Sequence, residues 1–169
     1  MSQTIRIAGT IGESIVDGPG MRYVIFTQGC PHHCPGCHNP ETHDFAGGTE
    51  MTTDGLLADI AKNPFIRAVT FSGGEPFCQP APLTEIAAAL KKQGYHVMSF
   101  TGYTFEELLA LEDPAVRALL NELDLLVDGR FIEAQRNIDL RFRGSENQRI
   151  LDVPASLAAG QAVWCEKYR

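Results

Sequence analysis

The 169-residue sequence predicts an α/β chain, a partial and laterally open (βα) barrel built on a mostly parallel sheet. Three observations predict it. Short apolar runs alternate with segments of helical period, the order of parallel strands joined by right-handed crossover helices. Four of those runs stop at a turn rich in glycine or cysteine, where sheets of this kind gather their sites. The chain is also shorter than the about 250 residues that a closed eight-unit barrel takes.

Taken in order, residues 4–15 alternate loosely and suit an edge strand or hairpin. Asp17-Gly18-Pro19-Gly20 breaks that pattern with turn chemistry and reads as a surface turn. The run 22–27, with Tyr23, Val24, Ile25 and Phe26, is a strand covered on both faces, and it leads into a loop holding Cys30, Cys34 and Cys37. After Gly47-Gly48, a helix over 53–61 puts Leu56, Leu57, Ile60 and Ala61 on one face. A strand at 67–71 stops at Ser72-Gly73-Gly74-Glu75-Pro76. Leu83, Ile86, Ala87 and Leu90 mark the next helix, which ends in Lys91-Lys92-Gln93-Gly94, with cations and glycine where a terminus favours them. A strand at 95–100 stops at Thr101-Gly102-Tyr103, and Thr104 with Glu107 forms a capping box. Asp113-Pro114 opens a short helix with Val116, Leu119 and Leu120 inward. A strand at 123–127 stops at Asp128-Gly129-Arg130, and 149–153 suits a closing strand. Neither an internal repeat nor a low-complexity segment interrupts this order, so a single domain over 1–169 is expected.

Composition narrows the function. With 44% hydrophobic and 21% charged residues, the chain has the balance of a soluble globular protein. A net charge of −7 argues against a general nucleic-acid surface and for a protein partner or small ligand. The first residues resemble no secretory signal and no stretch reaches transmembrane length, so a cytoplasmic location is expected, away from membranes. There, five cysteines are expected as metal ligands and free thiols.

Cys30, Cys34 and Cys37 lie within eight residues, with Pro31, Pro35 and Gly36 bending the backbone between them. Such thiols suit zinc or an iron–sulfur cluster. A cubane cluster takes four cysteines, and this motif supplies three. A fourth ligand from Cys78 or Cys165 would close it; zinc could instead add His32, His33, His38 or His43. The Cys-Pro-Gly-Cys-His run also has the spacing of covalent haem attachment, which requires export. Spacing alone leaves zinc and iron–sulfur open. The Gly73-Gly74-Glu75-Pro76 turn decides between them, because two glycines at a strand end admit a closely approaching ligand, beside a carboxylate suited to a cationic group. An open iron is chelated by an amine and a carboxylate. S-adenosylmethionine offers both, beside a sulfonium that one electron cleaves.

These residues resemble the radical S-adenosylmethionine enzymes. Asp17-Gly18-Pro19-Gly20, Phe26-Thr27-Gln28-Gly29-Cys30 and Cys37-His38-Asn39-Pro40 resemble the glycyl-radical-enzyme activases among them. Thr101-Gly102-Tyr103-Thr104, Val127-Asp128-Gly129-Arg130-Phe131 and Arg141-Phe142-Arg143-Gly144-Ser145 are similar to the activases that serve anaerobic ribonucleotide reductases. The resemblance implies a [4Fe-4S] cluster on Cys30, Cys34 and Cys37 and S-adenosylmethionine lined by Gly36, Cys37, His38, Gly73, Gly74, Glu75 and Thr101, with Gly102 beside them. It implies one-electron cleavage to a 5′-deoxyadenosyl radical, a reductase large subunit as protein substrate, and a small flavin or iron–sulfur electron donor. The alternatives are an activase for another enzyme, such as pyruvate formate-lyase, and a zinc-binding interaction module. Cys78 is expected as a small apolar filler, Cys165 and Tyr103 as packing residues, and His32 and His33 as plain loop residues. Arg130, Arg136, Arg141, Arg143 and Arg149 suit either partner binding or salt bridges that pin the tail.

Overall fold

A computed structural model describes residues 2–37 and 40–169. Among the described residues, seven strands join one sheet in the order β3-β1-β2-β4-β5-β6-β7, whose end strands β3 and β7 do not pair with each other, so the sheet is open. The parallel part is the centre: β2 (Arg22–Thr27), β4 (Ala68–Gly73), β5 (His96–Phe100) and β6 (Leu125–Asp128). Antiparallel strands flank it, namely β1 (Thr4–Ser14) and β3 (Thr49–Thr52) on one side and β7 (Arg149–Asp152) on the other. Segment 4–15 is thus one long strand but not an edge, because β3 lies outside it.

The central strands are added in chain order in one direction. With crossovers of one hand, that order puts the connecting helices on a single face. The core agrees: Tyr23, Ile25, Val69, Phe71, Val97, Leu126 and Leu151 pack with residues of α1 (Thr53–Ala61), α2 (Pro80–Lys92), α3 (Phe105–Ala110) and α4 (Pro114–Asn121), and α5 (Val153–Ala159) adds Val153 and Leu157. The expected helix faces are buried, apart from Leu57, which is half-buried, and Ala61, which is exposed while Thr53 is buried in its place. Both caps expected from sequence form, Thr104 with Glu107 at α3 and Asp113 at α4.

The alternate side chains face the helix-free side, where Met98, Leu125, Val127 and Ile150 meet Phe142, Trp164, Cys165 and Tyr168 of the tail. Cys165 therefore packs as expected. The Asp17–Gly20 segment is more than a surface turn, since it crosses this face. Gly18 has φ +141°, and a Cβ there would fall 2.4 Å from the Met98 sulfur. Thr70 Oγ1 donates to the Asp17 carbonyl at 2.9 Å. Arg22, only 1% exposed, fastens the segment by donating to the Pro19 carbonyl (2.9 Å), Thr70 Oγ1 (2.7 Å) and the Val69 carbonyl (2.9 Å). It also meets His96, whose ring nitrogen lies at 2.9 Å and whose carbonyl accepts at 3.3 Å. Burial lowers the Arg22 pKa to about 10. Among the described residues, no helix is long and apolar enough to cross a membrane.

Candidate functional site

Because β2, β4, β5 and β6 run parallel, the segments after them meet at one edge of the sheet. A cavity of about 400 Å³ opens there. It is lined by Cys30, Cys34, Cys37, Gly73, Gly74, Thr101 and Gly102, with Phe26, Ser72 and Phe100 beneath. The three cysteines thus share one cavity with the Gly-Gly turn and the Thr-Gly turn.

The cysteine loop is shaped by its own sequence. Cys37 N–H donates to the Cys34 carbonyl at 3.1 Å, with Pro35 second in the turn and Gly36 third at φ +75°. That is the residue pattern of a type II turn, and it turns Cys34 and Cys37 toward the same cavity. At the start of the loop Gly29 has φ +104° and no room for a side chain, since a Cβ would meet the Phe45 ring at 2.4 Å. Cys30 N–H donates to the His43 carbonyl. Burial pushes the Cys30 thiol above its ordinary range, with the backbone amides of His32 and His33 acting the other way.

Gly73 and Gly74 face the cavity, but what demands glycine there is the end of β2. A Cβ on Gly73 would fall 2.3 Å from the Thr27 nitrogen, and one on Gly74 would fall 2.6 Å from the Gly29 carbonyl oxygen. Gly74 N–H donates to the Thr27 carbonyl (3.1 Å) and Glu75 N–H to that of Gly29 (2.8 Å). The turn therefore clamps the base of the cysteine loop.

Glu75 is placed differently from the ligand-facing carboxylate expected at that position. It is fully buried and does not line the cavity. Its oxygens accept from Thr101 Oγ1 (3.0 and 2.9 Å), Gly102 N–H (2.7 Å) and Phe77 N–H (3.0 Å), and lie 2.6 Å from His32 Nε2. His32 is accordingly not a plain loop residue, for its side chain is 4% exposed. The edge of Tyr103 lies against the His32 ring, with centroids 4.7 Å apart, while Tyr103 also packs on the core. Thr101 lines the cavity, and its hydroxyl is bonded to Glu75. Gly36 stands outside the cavity lining, and a Cβ there would meet Glu133 and Phe131 at 3.2 and 3.3 Å. His38 lies outside the described residues.

His33, at φ +49°, sets its ring against that of His43, which lines the cavity. Among the described residues no three His, Cys, Asp or Glu side chains converge on a single metal ion. Three thiols around one cavity suit a cluster, which spreads its irons over a larger span than one ion. Cys78 is exposed and so fills no core space, while desolvation and the Glu75 charge push its thiol up to about 11.

The arginines divide. Arg149 donates to buried Asp128 at 3.0 and 2.6 Å and to Glu106 at 2.6 Å, Arg130 reaches Glu107 at 3.3 Å, and Arg143 donates to the Gln148 carbonyl. These pin the tail. Arg136 and Arg141 are exposed. Residues missed in the sequence include Asp17, Phe131 and Gln148, which complete the cavity wall. Asp17 had a signal in its turn motif, whereas Phe131 and Gln148 had one only through the resemblance, since they come from an irregular segment without periodicity.

The pattern of the 4Fe-4S single cluster domain family matches residues 16–151. The chain is similar to the anaerobic ribonucleoside-triphosphate reductase-activating protein of Vibrio cholerae, with 36% identity over 145 residues, 80% of this chain and 90% of that protein. It is 32% identical to the protein of that name in Escherichia coli K12, over 79% of this chain and 90% of the relative. To the pyruvate formate-lyase-activating enzyme of Clostridium pasteurianum it is 42% identical over 117 residues, 64% of this chain and 49% of that enzyme.

Proposed function

Because the chain belongs to the 4Fe-4S single cluster domain family and to the anaerobic ribonucleoside-triphosphate reductase-activating proteins, we propose that it activates an anaerobic ribonucleotide reductase. When bound, a [4Fe-4S] cluster carrying S-adenosylmethionine supplies one-electron cleavage to a 5′-deoxyadenosyl radical, which takes hydrogen from a glycine of the reductase. Cys30, Cys34 and Cys37 hold the cluster, leaving one iron without a cysteine. Cys37 and His38 on the loop, with Gly73, Gly74 and Thr101 on the strand ends, seat the cofactor, Gly36 shapes the turn between the second and third cysteine, and Glu75 supports the strand ends from beneath. The residues 1–169 act as one domain in the cytoplasm, served by a small flavin or iron–sulfur electron donor.

The observation that carries this reading is the meeting of three thiols with the Gly73-Gly74 turn and Thr101 around one cavity of about 400 Å³, a volume in the range of small-molecule sites. Phe26 and Phe100 make most of the cavity floor apolar, beside Ser72, and apolar surface keeps water from a reactive intermediate.

Anaerobic reconstitution with iron and sulfide, then reduction in the presence of S-adenosylmethionine, is expected to release 5′-deoxyadenosine. No release from a fully loaded cluster would refute the reading, and zinc without iron in protein purified without air would favour a zinc-binding module. The identity to the Clostridium pasteurianum enzyme favours a second reading, an activase for pyruvate formate-lyase. Offering each protein in turn and recording glycyl radical separates the two.

A further inference from the structure

We propose that His32 is a positioning residue, a latch that fastens the cysteine loop to the ends of β4 and β5 through Glu75 and so holds the loop in its metal-binding form before iron arrives. His32 lies between two cysteines of the loop, and Glu75 lies in the turn after β4, 43 residues away in sequence. Their side chains are 4% and 0% exposed, and the two atoms are 2.6 Å apart. The other partners of the carboxylate, Thr101 Oγ1, Gly102 N–H and Phe77 N–H, all donate. The imidazole is therefore a further donor, with its proton on Nε2. Thr101 cannot turn its hydroxyl proton away freely, because the same oxygen accepts from Tyr103 N–H at 3.1 Å.

The ring is also gripped sterically. A Cβ on Gly102 would fall 2.3 Å from His32 Cδ2, so glycine is what lets the imidazole lie against β5's end. Tyr103 closes the other flank, its plane at 80° to the ring. Two described backbone ties to the rest of the fold lie at the start of the loop, where Cys30 N–H meets the His43 carbonyl and Glu75 N–H meets that of Gly29, while the Cys37 N–H bond to the Cys34 carbonyl stays within the loop. His32 adds a tie two residues further along, between the first and second thiol. A loop held ready by a buried, hydrogen-bonded side chain loses less freedom when metal binds, so metal binding is favoured.

The inference rests on the proposed cluster only for its purpose, so the deciding test is made on metal-free protein under reducing, anaerobic conditions. Hydrogen exchange over residues 30–37 is compared in the wild type, His32→Leu, His32→Gln and Gly102→Ala. Removing a buried donor to a carboxylate should speed exchange of the loop about tenfold or more in His32→Leu, while strands β4 to β6 keep their protection. Gly102→Ala should do the same by pushing the ring out from the opposite side. His32→Gln, whose amide nitrogen reaches as far as Nε2, should return exchange to within about threefold of wild type. Iron loading should follow the same order. Wild-type loop protection in both His32→Leu and Gly102→Ala would overturn the latch, as would failure of glutamine to restore it. Should His32→Leu not fold, Gly102→Ala with His32→Gln still decides. Unchanged loop protection in the variants beside normal radical chemistry would overturn this inference alone, and the expected loss of protection in a chain that yields no 5′-deoxyadenosine would overturn the proposed function alone.

Discussion

Replacing Glu75 with glutamine changes one atom of a buried carboxylate and keeps its volume. One oxygen accepts from Gly102 N–H, His32 and Thr101, and the other from Phe77 N–H and Thr101. An amide has a single accepting oxygen. If its NH₂ takes the first position it faces Gly102 N–H, and if it takes the second it faces Phe77 N–H. Either way a donor meets a backbone donor that cannot reverse its role. The better orientation orphans Phe77 N–H and removes the negative charge that strengthens the remaining bonds, a combined loss of about 3 kcal/mol. For a chain of this size about 1 kcal/mol corresponds to roughly 2–4 °C in Tm, so a fall of about 6–12 °C is expected. The assay is thermal unfolding of the metal-free chain, followed by circular dichroism under anaerobic, reducing conditions, where no bound group adds to stability. A fall below about 2 °C would mean instead that the four donors do not depend on a carboxylate.

Other outcomes follow from the same geometry. Changing Cys30, Cys34 or Cys37 singly to serine should abolish the brown colour and 5′-deoxyadenosine release, whereas Cys165→Ser, packed on the far core, should retain the iron content of the wild type. Gly74→Ala puts a Cβ 2.6 Å and 2.8 Å from the carbonyl oxygens of Gly29 and Thr27, backbone that cannot swing aside. It should cost about 1–3 kcal/mol in denaturant unfolding and lower iron loading as the loop base shifts. Glu107 is held below its ordinary 4.5 by the Thr104 amide and Arg130, and Glu106 by Arg149. Carboxyls depressed in the folded state stabilise it above the unfolded value and lose that contribution as pH falls through the folded one. Tm should therefore decline from about pH 5 to about pH 3, and Glu107→Gln should flatten that decline.

Periodicity made much of the fold legible. The apolar runs that became β2, β4, β5 and β6 are short and continuous, and the helical stripes lie between them. From that order alone the cysteine loop, the Gly-Gly turn and Thr101 could be put at one edge, because parallel strands share their carboxyl ends. What escaped is polar or short. β3, Thr49–Thr52, holds one apolar residue and exists because the outer side of β1 needs a hydrogen-bonded neighbour. Arg22 reads as an ordinary strand start, and its burial follows only once the Asp17–Gly20 segment folds over it. Glu75 and His32 were misjudged for a shared reason. A pattern tells which face of an element is apolar, but not which polar group meets which across 43 residues.

Three cysteines and the open sheet edge they share with the Gly73-Gly74 turn equip this chain to generate a radical on another protein's glycine. This capacity is tested most directly by electron spin resonance of mixtures holding the cluster-loaded, reduced chain, S-adenosylmethionine and either anaerobic ribonucleotide reductase or pyruvate formate-lyase. A glycyl radical is expected on the reductase, dependent on S-adenosylmethionine and on Cys30, Cys34 and Cys37, with none on the lyase. A loaded chain that cleaves S-adenosylmethionine yet leaves the reductase without a radical would contradict it.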